Sequence, residues 1–506
     1  MIPKMKRVIS NISKNEVLFG VFIIILFLIL RLLNLTVLPV FCDEAIYIRW
    51  SQIMKSEPTL RFLPLSDGKQ PLFMWLTIPF LKLFSDPLFA GRFVSILAGF
   101  GSLLGIFFLS WSLFASKKVA LFSSLIYAVL PYSVFFDRMA LVDSLLNCLG
   151  IWTLLLSVLL IKYQRTDLAM IGGMILGAAL ITKSPALFFA LLFPLSLVLV
   201  SFKKLNLVSL GKIFGLWLVV YFFAFLIYNS LRLGPNFQMI ALRNKDYVFT
   251  LKEIFSHPLD PLRPHLNDVI EWFPNLFTLP ILLAGVGGLV LGIRTRRKES
   301  LVLFLWFLVP LISQVLIAKV FNSRYLFFTI FPLIIFAGLF LDNLFAKIKR
   351  GWIRVLIFLV FFILALRYDF LLLTDPAKAP LTEEMKSGYL RDWTSGYGIP
   401  QVRDFIKKEA EKNKIVVGTE GFFGTLPDGL QIYFDKNPKV TIIGVGLEFQ
   451  EIPNSLKEAA LTTPTYLVVN QSRLRINNNP HLKLIFKIPK VASPKGQDYL
   501  LLFKVE

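Results

Sequence analysis

Long apolar stretches alternate with short polar connections through the first three quarters of the chain. Eleven of them are predicted to cross a membrane as helices, although several lie near the minimum of about 17 residues that hydrocarbon requires. The predicted spans are 17–37, 89–112, 118–136, 140–161, 168–183, 185–202, 213–232, 277–293, 300–318, 325–343 and 353–373. Only Ser184 separates the fifth from the sixth, so this pair is either two tightly joined helices or one broken helix.

Lysine and arginine concentrate in alternate connections between these spans. They are Lys4, Lys6, Arg7, Lys14, Lys117, Lys118, Lys162, Arg165, Lys203, Lys204, Lys212, Arg294, Arg296, Arg297, Lys298, Lys347, Lys349, Arg350 and Arg354. Short basic loops stay in the cytoplasm. The pattern therefore predicts a multi-pass plasma-membrane protein with a cytoplasmic N-terminus. The first span lacks a small-residue cleavage site, which favours a retained helix over a signal peptide.

Two connections on the predicted outer side are long. In the first, 38–88, an amphipathic helix is expected from Asp43 to Lys55, and the apolar stretch 71–84 is too short to span, so it is predicted to lie in the membrane interface. The second is 233–276, where three prolines disfavour a long helix. These are Pro258, Pro261 and Pro264.

The composition changes after Asp375, where apolar runs become short. We predict a helix at 401–411, followed by strand-like runs at 415–418, 431–434, 440–445, 465–470, 483–488 and 499–505. The chain is therefore divided into a membrane domain, 1–374, and a soluble α/β domain, 375–506, expected outside the cell. The glycine-rich run 418–429 is interpreted as a turn between strands, with a part in receiving a second substrate as the alternative.

Composition supports a membrane protein and argues against nucleic acid as a partner. Hydrophobic residues make up 56% of the 506 residues, and the mean hydropathy is +0.68. The net charge of +22 lies largely in short loops between spans, where it would meet anionic lipid headgroups. Cys42 and Cys148 form no disulfide framework and have no metal-ligand spacing.

Charged and polar residues gather at the predicted outer ends of the helices. They are Asp43, Glu44, Lys69, Arg138, Asp143, Lys183, Arg324 and Tyr325. Ionisable residues at such depth are costly and tend to be functional. They come from distant parts of the sequence, yet the predicted topology places all of them at one membrane depth.

Each residue also has a structural interpretation. Adjacent Asp43 and Glu44 fit a helix start, where carboxylates complement the dipole. A single lysine or arginine in this set would serve as an anchor at the headgroup level, and Asp143 beside Arg138 fits an ion pair. The loop residues His257 and His265 are interpreted as structural, with metal contact as the alternative.

Together, these groups suit transfer of a sugar from a lipid phosphate. The lipid tail would stay in the membrane while cations stabilise charge on the departing phosphate. A carboxylate on the opposite face would take the proton of an attacking hydroxyl. In-line attack of that kind inverts the anomeric carbon.

Several motifs resemble one enzyme family in order. They are Asp43-Glu-Ala-Ile-Tyr47, Lys69-Gln-Pro-Leu-Phe-Met-Trp75, Gly91-Arg-Phe-Val-Ser95, Arg138-Met-Ala-Leu-Val-Asp143-Ser144, Thr182-Lys-Ser-Pro185 and Ser323-Arg-Tyr325. Over roughly residues 15–345 the chain resembles the family 39-like membrane glycosyltransferases, which include dolichyl-phosphate-mannose protein mannosyltransferases and bacterial aminoarabinose transferases. The resemblance implies a GT-C architecture of about eleven membrane helices.

The resemblance also implies roles for the residues. Asp43 matches the general base, Glu44 its motif partner and Asp143 the second acidic position. Lys69, Arg324 and Tyr325 match contacts to the lipid-linked phosphate. Lys183 lies in a Thr-Lys-Gly-Pro-like element in which Ser184 replaces the glycine. Arg138 joins the predicted phosphate-binding set.

The sequence therefore predicts an inverting glycosyltransferase that uses a polyprenyl-phosphate sugar as donor and a protein, glycan or lipid hydroxyl as acceptor. No tightly bound cofactor is expected, and a divalent cation stays open because relatives differ in their need for one. A transporter or flippase of lipid-linked sugars is the first alternative. A binding or assembly protein anchored by its helices is the second.

Overall fold

The computed structural model describes residues 13–200, 206–256, 259–448, 450–476, 479–494 and 496–506. The predictions made for Lys4, Lys6, Arg7, Lys203, Lys204 and His257 lie outside the described residues.

Helices make up nearly all of the chain before residue 375. They are α1 (Lys14–Leu32), α2 (Cys42–Ser56), α3 (Leu72–Leu83), α4 (Pro87–Phe114), α5 (Lys117–Val129), α6 (Pro131–Asp137), α7 (Val142–Tyr163), α8 (Thr166–Leu180), α9 (Leu187–Leu192), α10 (Leu207–Asn229), α11 (Met239–Tyr247), α12 (Leu251–Ser256), α13 (Leu259–Phe277), α14 (Leu279–Thr295), α15 (Arg297–Ile317), α16 (Phe331–Lys347) and α17 (Gly351–Thr374). Short 3₁₀ segments connect them at Pro58–Leu60, Leu63–Asp67, Ser184–Ala186, Phe193–Leu199, Ser230–Leu233 and Ser323–Thr329.

The predicted multi-span helical architecture is confirmed, but many of its spans are short or bent. Among the described residues, six helices are long and apolar enough to cross a membrane, or up to nine if each bent pair is one span. The bent pairs are α5–α6 at 61°, α13–α14 at 106° and the segment Ser323–Thr329 with α16 at 57°. The predicted spans 168–183 and 185–202 correspond to α8 and the apolar segment Ser184–Leu199, which are shorter.

Local sequence signals explain where several helices begin. At α1, the Ser13 hydroxyl accepts from the Glu16 amide while the Glu16 carboxylate accepts from the Ser13 amide, which forms a capping box. At α4, the Asp86 carboxylate accepts from the amides of Leu88 and Phe89. These contacts satisfy amides that the helix itself leaves without partners.

Two local predictions are wrong. Despite prolines at 264 and 274, α13 is a helix of 19 residues, because its buried face, including Trp272 and Phe273, packs into the core and outweighs the lost hydrogen bonds. Residues 431–434, predicted as a strand, instead form the last residue of the short helix Asp428–Gln431 and the turn after it. The backbone carbonyl of Ile432 accepts from the Gln52 side chain of α2. A short apolar run fits a strand or a packed turn equally well.

A five-stranded sheet forms the core of the C-terminal part. The strands are β1 (Ile415–Glu420), β2 (Val440–Gly446), β3 (Thr465–Asn470), β4 (Leu482–Pro489) and β5 (Tyr499–Val505), in the order β2-β1-β3-β5-β4. β1 is parallel to β2 and β3, whereas β5 is antiparallel to β3 and β4. The other helices here are α18 (Glu383–Lys386), α19 (Ile399–Lys412), α20 (Asp428–Gln431) and α21 (Asn454–Ala460).

This C-terminal part rests on α2. The Cys42 amide donates to the Thr394 carbonyl at 3.0 Å. The Arg49 guanidinium pairs with the Asp435 carboxylate at 2.9 Å. Residues of both parts also share one continuous apolar core. The position of α2 therefore depends on the C-terminal part as well as on the membrane helices.

Close approach of α14 to α16 provides a first test of the fold. A Cβ added at Gly288 would overlap the Phe336 carbonyl, as expected where small residues let two membrane helices touch. We expect Gly288→Leu to separate the helices and lower the free energy of unfolding by at least about 3 kcal/mol. Gly215→Leu on α10 is the control, because a Cβ there meets nothing within 4 Å. Thermal unfolding in detergent measures both, and equal melting temperatures would contradict the packing.

Candidate active site

Five charged side chains from five separate segments meet beside the first turn of α2. We call Asp43, Lys69, Asp143, Lys183 and Arg324 the charged cluster. Asp43 is the second residue of α2, and its carboxylate contacts the Arg324 guanidinium at 2.6 Å and the Lys69 amine at 3.5 Å. Only 16% of the Asp43 side chain is exposed, so these contacts form largely out of water.

Asp143 and Lys183 form the second carboxylate–cation contact of the cluster. Asp143 lies in the first turn of α7, and one of its oxygens accepts from the Lys183 amine at 2.7 Å. Its other oxygen is buried without a hydrogen-bond partner. The Lys183 amine also lies 4.3 Å from the centre of the Tyr325 ring. Tyr325 thus borders the cluster, and its hydroxyl accepts from Arg324 at 3.2 Å.

Side-chain hydrogen bonds bring these distant segments together. The Gln70 amide group donates to the Ser184 hydroxyl at 2.9 Å, which joins the loop carrying Lys69 to the loop carrying Lys183. On the other side, the Gln314 side chain of α15 donates to the Tyr325 carbonyl. Because each loop is tied to a packed helix, the cations are held close to Asp43 rather than extending into solvent.

The cations change the acidity of Asp43. Burial alone would raise its pKa, but Lys69 and Arg324 outweigh burial and hold the pKa well below its usual range. Burial alone would lower the pKa of Lys69, but Asp43, Tyr47 and Asp67 together outweigh burial and raise the pKa above its usual range. Both groups are therefore charged throughout the neutral range.

Glu44, although adjacent to Asp43, points away from the cluster into the protein. Its side chain is fully buried and pairs with the Arg92 guanidinium of α4 through two contacts of 2.8 Å. It also accepts from the backbone amides of Ala140 and Phe41, at 2.6 Å and 2.9 Å. Four donors of the protein thus occupy the acceptor directions of Glu44, which was predicted to be catalytic, and this arrangement suits a positioning role.

Arg138, predicted to bind phosphate, likewise lies outside the charged cluster. Its side chain is fully buried. The guanidinium donates to four backbone carbonyls at the end of α1, those of Leu30, Arg31, Leu33 and Asn34. These carbonyls have no partners within the helix, so a cation at a helix C-terminus satisfies them.

A buried ion pair joins α1 to α6 and was not predicted from the sequence. The Arg31 guanidinium contacts the Asp137 carboxylate at 3.2 Å with neither side chain exposed. Tyr127 and Ser144 also donate to Asp137. An arginine inside a predicted span was the available signal, because a charge there needs a partner.

Glu384 was also missed, because nothing in its local sequence distinguishes it. Its carboxylate accepts from the Ser323 hydroxyl at 2.8 Å, beside Arg324. Burial raises the pKa of Glu384 to about 7. A carboxyl group that titrates near neutrality therefore adjoins the segment that positions Arg324.

The described residues contain no group of three or more His, Cys, Asp or Glu side chains suited to a metal ion. His265 lies apart from the cluster, with its Nδ1 2.9 Å from the Val315 carbonyl and its ring stacked on Phe321. The question of a divalent cation therefore stays open.

One segment of the chain is similar in sequence to a known protein family. Residues 68–228 match the family model described as dolichyl-phosphate-mannose-protein mannosyltransferase. The predicted resemblance is confirmed over that segment. It contains Lys69, Asp143 and Lys183, whereas Asp43 and Arg324 lie outside it. No curated protein sequence matches the chain significantly.

Solved structures extend the likeness to nearly the whole chain. The crystal structure of ArnT from Cupriavidus metallidurans in the apo state matches with a TM-score of 0.55 and 14% identity, covering 96% of this chain and 97% of that one. ArnT from the same organism bound to undecaprenyl phosphate matches with a TM-score of 0.55 and 15% identity over the same shares. At these identities the match establishes the fold, so the predicted GT-C architecture is confirmed.

The different surroundings of the two adjacent carboxylates lead to a second test. Glu44→Gln leaves Arg92 buried without its counter-charge, so we expect a loss of about 3–5 kcal/mol of stability. Asp43→Asn removes a carboxylate that is 16% exposed and whose partners Arg324 and Lys69 are 13% and 22% exposed, so it should cost less stability than Glu44→Gln. Thermal unfolding of the two purified variants measures the contrast, and a stable Glu44→Gln protein would contradict the positioning role.

Proposed function

We propose that the chain is an inverting glycosyltransferase that moves a sugar from a polyprenyl-phosphate donor to an acceptor hydroxyl at the outer face of the plasma membrane. The family match and the ArnT fold support a glycosyltransferase. The observation that carries the proposal is the position of Asp43 between Arg324 and Lys69. A carboxylate and two cations within contact distance supply the base and the phosphate-binding groups that this reaction needs.

The donor phosphate would bind to the cations of the cluster. Arg324 offers a planar fork of donors that suits phosphate oxygens, and Lys69 offers a point charge. Lys183 extends the positive surface toward Asp143. When the bond between the sugar C1 and the phosphate oxygen breaks, its electron pair stays on the phosphate, and these cations stabilise the added charge.

Asp43 would act on the acceptor. The acceptor oxygen attacks C1 from the face opposite the phosphate, and its proton passes to the Asp43 carboxylate, which inverts the anomeric carbon. In the free protein Asp43 is a weak base, because two cations lower its pKa. Phosphate binding would draw Arg324 and Lys69 toward the donor and leave Asp43 more basic. This order places donor binding before activation of the acceptor.

The transporter alternative has one observation in its favour. Secondary transporters typically form their substrate sites from broken helices, and three helix pairs here are bent by 57° to 106°. Purified protein in liposomes with a labelled polyprenyl-phosphate sugar separates the two functions. Release of lipid phosphate supports the enzyme, whereas movement of intact donor across the bilayer supports transport.

Substitutions in the cluster test the assigned roles. We expect Asp43→Asn to lower the transfer rate by about 10²- to 10⁴-fold, the usual contribution of a general base, with donor binding retained. Lys69→Ala and Arg324→Ala should instead raise the donor KM. Arg403→Ala is the matched control, because Arg403 also pairs with a carboxylate, that of Asp404, but within α19 of the C-terminal part. Normal transfer by a well-folded Asp43→Asn protein would remove the proposed base.

The pH dependence of the reaction tests the link between Lys69 and Asp43. Because the pKa of Asp43 is lowered in the free protein, the wild-type kcat/KM for the donor, which reports the free enzyme, should stay constant down to about pH 4. Lys69→Met removes a cation that favours the carboxylate, so the pKa of Asp43 should rise. As the pH is lowered, the variant should therefore lose activity at a higher pH than the wild-type protein. Single-turnover rates at subsaturating donor between pH 4 and 8 measure the shift, with Arg403→Met as control. Identical acid limbs would contradict the coupling.

A further inference from the structure

The edge of the C-terminal sheet that carries the carboxyl ends of β1, β2 and β3 opens beside α2. These three strands are parallel, so Glu420, Gly446 and Asn470 lie at the same edge. In open α/β sheets, ligands bind in the crevice outside such strand ends.

The loop after β1 joins this edge to the charged cluster. A Cβ added at Gly424 would lie 3.0 Å from the Cys42 sulfur and 3.9 Å from the Trp393 ring. Cys42 is the neighbour of Asp43 in the first turn of α2. Gly424 has a φ of +109°, a conformation that favours glycine and lets the backbone approach this closely. The loop therefore lies one residue from the proposed base.

Large aromatic side chains are exposed along this edge. Phe422 is 68% exposed, Phe423 is 66% exposed, and Trp393 is 40% exposed. These three rings, which we call the aromatic edge, present flat apolar faces to the surroundings. Elsewhere in this domain, apolar rings such as Tyr466 are buried, so the exposure needs an explanation.

Polar groups with fixed positions accompany the rings. The Arg473 guanidinium lies 4.1 Å from the centre of the Trp393 ring and 3.8 Å from the Glu420 carboxylate. Glu420 accepts from the backbone and side-chain nitrogens of Asn470, at 2.7 Å and 2.6 Å. The Asn470 side-chain oxygen is buried without a partner. Acceptors and donors thus lie at the margin of the apolar rings.

The segment that carries Trp393 is also held in place. The Lys490 amine, which is 2% exposed, donates to the carbonyls of Asp392 and Ser395, at 2.8 Å and 3.0 Å. Burial lowers the pKa of Lys490 to about 8. A fixed ring loses little conformational freedom when a ligand stacks on it.

From this arrangement we propose that the aromatic edge binds a sugar ring of the acceptor, so that the acceptor is a glycan or the glycan part of a lipid. A pyranose ring has a C–H face that an aromatic ring can cover and a rim of hydroxyl groups that the Arg473 guanidinium can bind, which is held beside Trp393 by the buried Glu420. Insertion of Phe422 and Phe423 into the bilayer is disfavoured, because it would carry these charged groups toward lipid. Sugar binding at this edge stands by itself, but calling the sugar the acceptor rests on the proposed function.

Sugar binding is tested on the full chain in phosphatidylcholine nanodiscs without donor. The probes are soluble disaccharides of hexose and N-acetylhexosamine, and saturation-transfer NMR measures their Kd. We expect Phe422→Ala with Phe423→Ala to raise the Kd about tenfold for the best probe, as loss of ring contacts predicts. Phe422→Tyr with Phe423→Tyr keeps the rings and should bind within about twofold of wild type.

Leu461→Ala is the matched control. Leu461 is 85% exposed in the same domain and precedes β3, so it lies toward the opposite edge of the parallel strands. Absence of binding by wild type, an unchanged Kd in the alanine pair, or equal weakening in Leu461→Ala would each overturn the proposal. Fluorescence of a label at Phe423→Cys that is quenched by nitroxide lipids would place the ring in the bilayer and also overturn it.

A transfer assay separates this proposal from the function on which it rests. With a labelled polyprenyl-phosphate sugar, the alanine pair should raise the KM of the disaccharide acceptor while the donor KM stays unchanged. An equal rise in both would overturn the acceptor site. If wild-type protein binds disaccharides but releases no lipid phosphate from any donor, the proposed function fails while sugar binding at the aromatic edge stands.

Discussion

The buried ion pair between Glu44 and Arg92 fixes the geometry on which the rest of the site depends. Two charges removed from water cost several kcal/mol each unless their contacts are complete. Here they are complete, since Glu44 accepts from Arg92 and two backbone amides, and Arg92 also donates to carbonyls of the chain between α1 and α2. This network sets the direction in which α2 begins. Asp43, the preceding residue, is thereby turned toward the cations.

The surroundings of Asp43 link its position to its chemistry. In a site largely screened from water, a contact of 2.6 Å to Arg324 has more effect than it would at a surface. It makes the carboxylate permanently charged and weakly basic in the free protein. A phosphate that competes for the same cations would reverse this state. The low pKa of Asp43 is therefore consistent with a base that becomes effective only after the donor has bound.

The C-terminal part contributes to the site in two ways. Contacts such as the ion pair of Arg49 with Asp435 join the C-terminal part to α2. In addition, its parallel strands end beside Cys42, and Gly424 allows the loop after β1 to approach α2. A domain that only stabilised α2 would not need exposed rings at this edge. The aromatic edge would give the same domain a part in selecting the acceptor.

The sequence by itself determined the elements whose signal is local. Apolar runs predicted the long membrane helices, and strand-like runs predicted all five strands. Both are visible because burial of one face or segment makes apolar residues recur with a regular spacing. The motifs around Asp43, Lys69, Asp143, Lys183 and Arg324 were also visible, and the structure brings these residues together. Their catalytic and binding roles stay predictions.

Only the tertiary structure decided what each neighbouring residue does. Asp43 and Glu44 are adjacent and chemically alike, yet the rotation of about 100° between successive helix residues directs the first toward cations and the second toward Arg92. Arg138 looked like a phosphate ligand until its carbonyl partners at the end of α1 were located. In α13, packing of Trp272 and Phe273 outweighed prolines that disfavour a helix. In each case the outcome depends on groups distant in sequence, because burial and charge act through space.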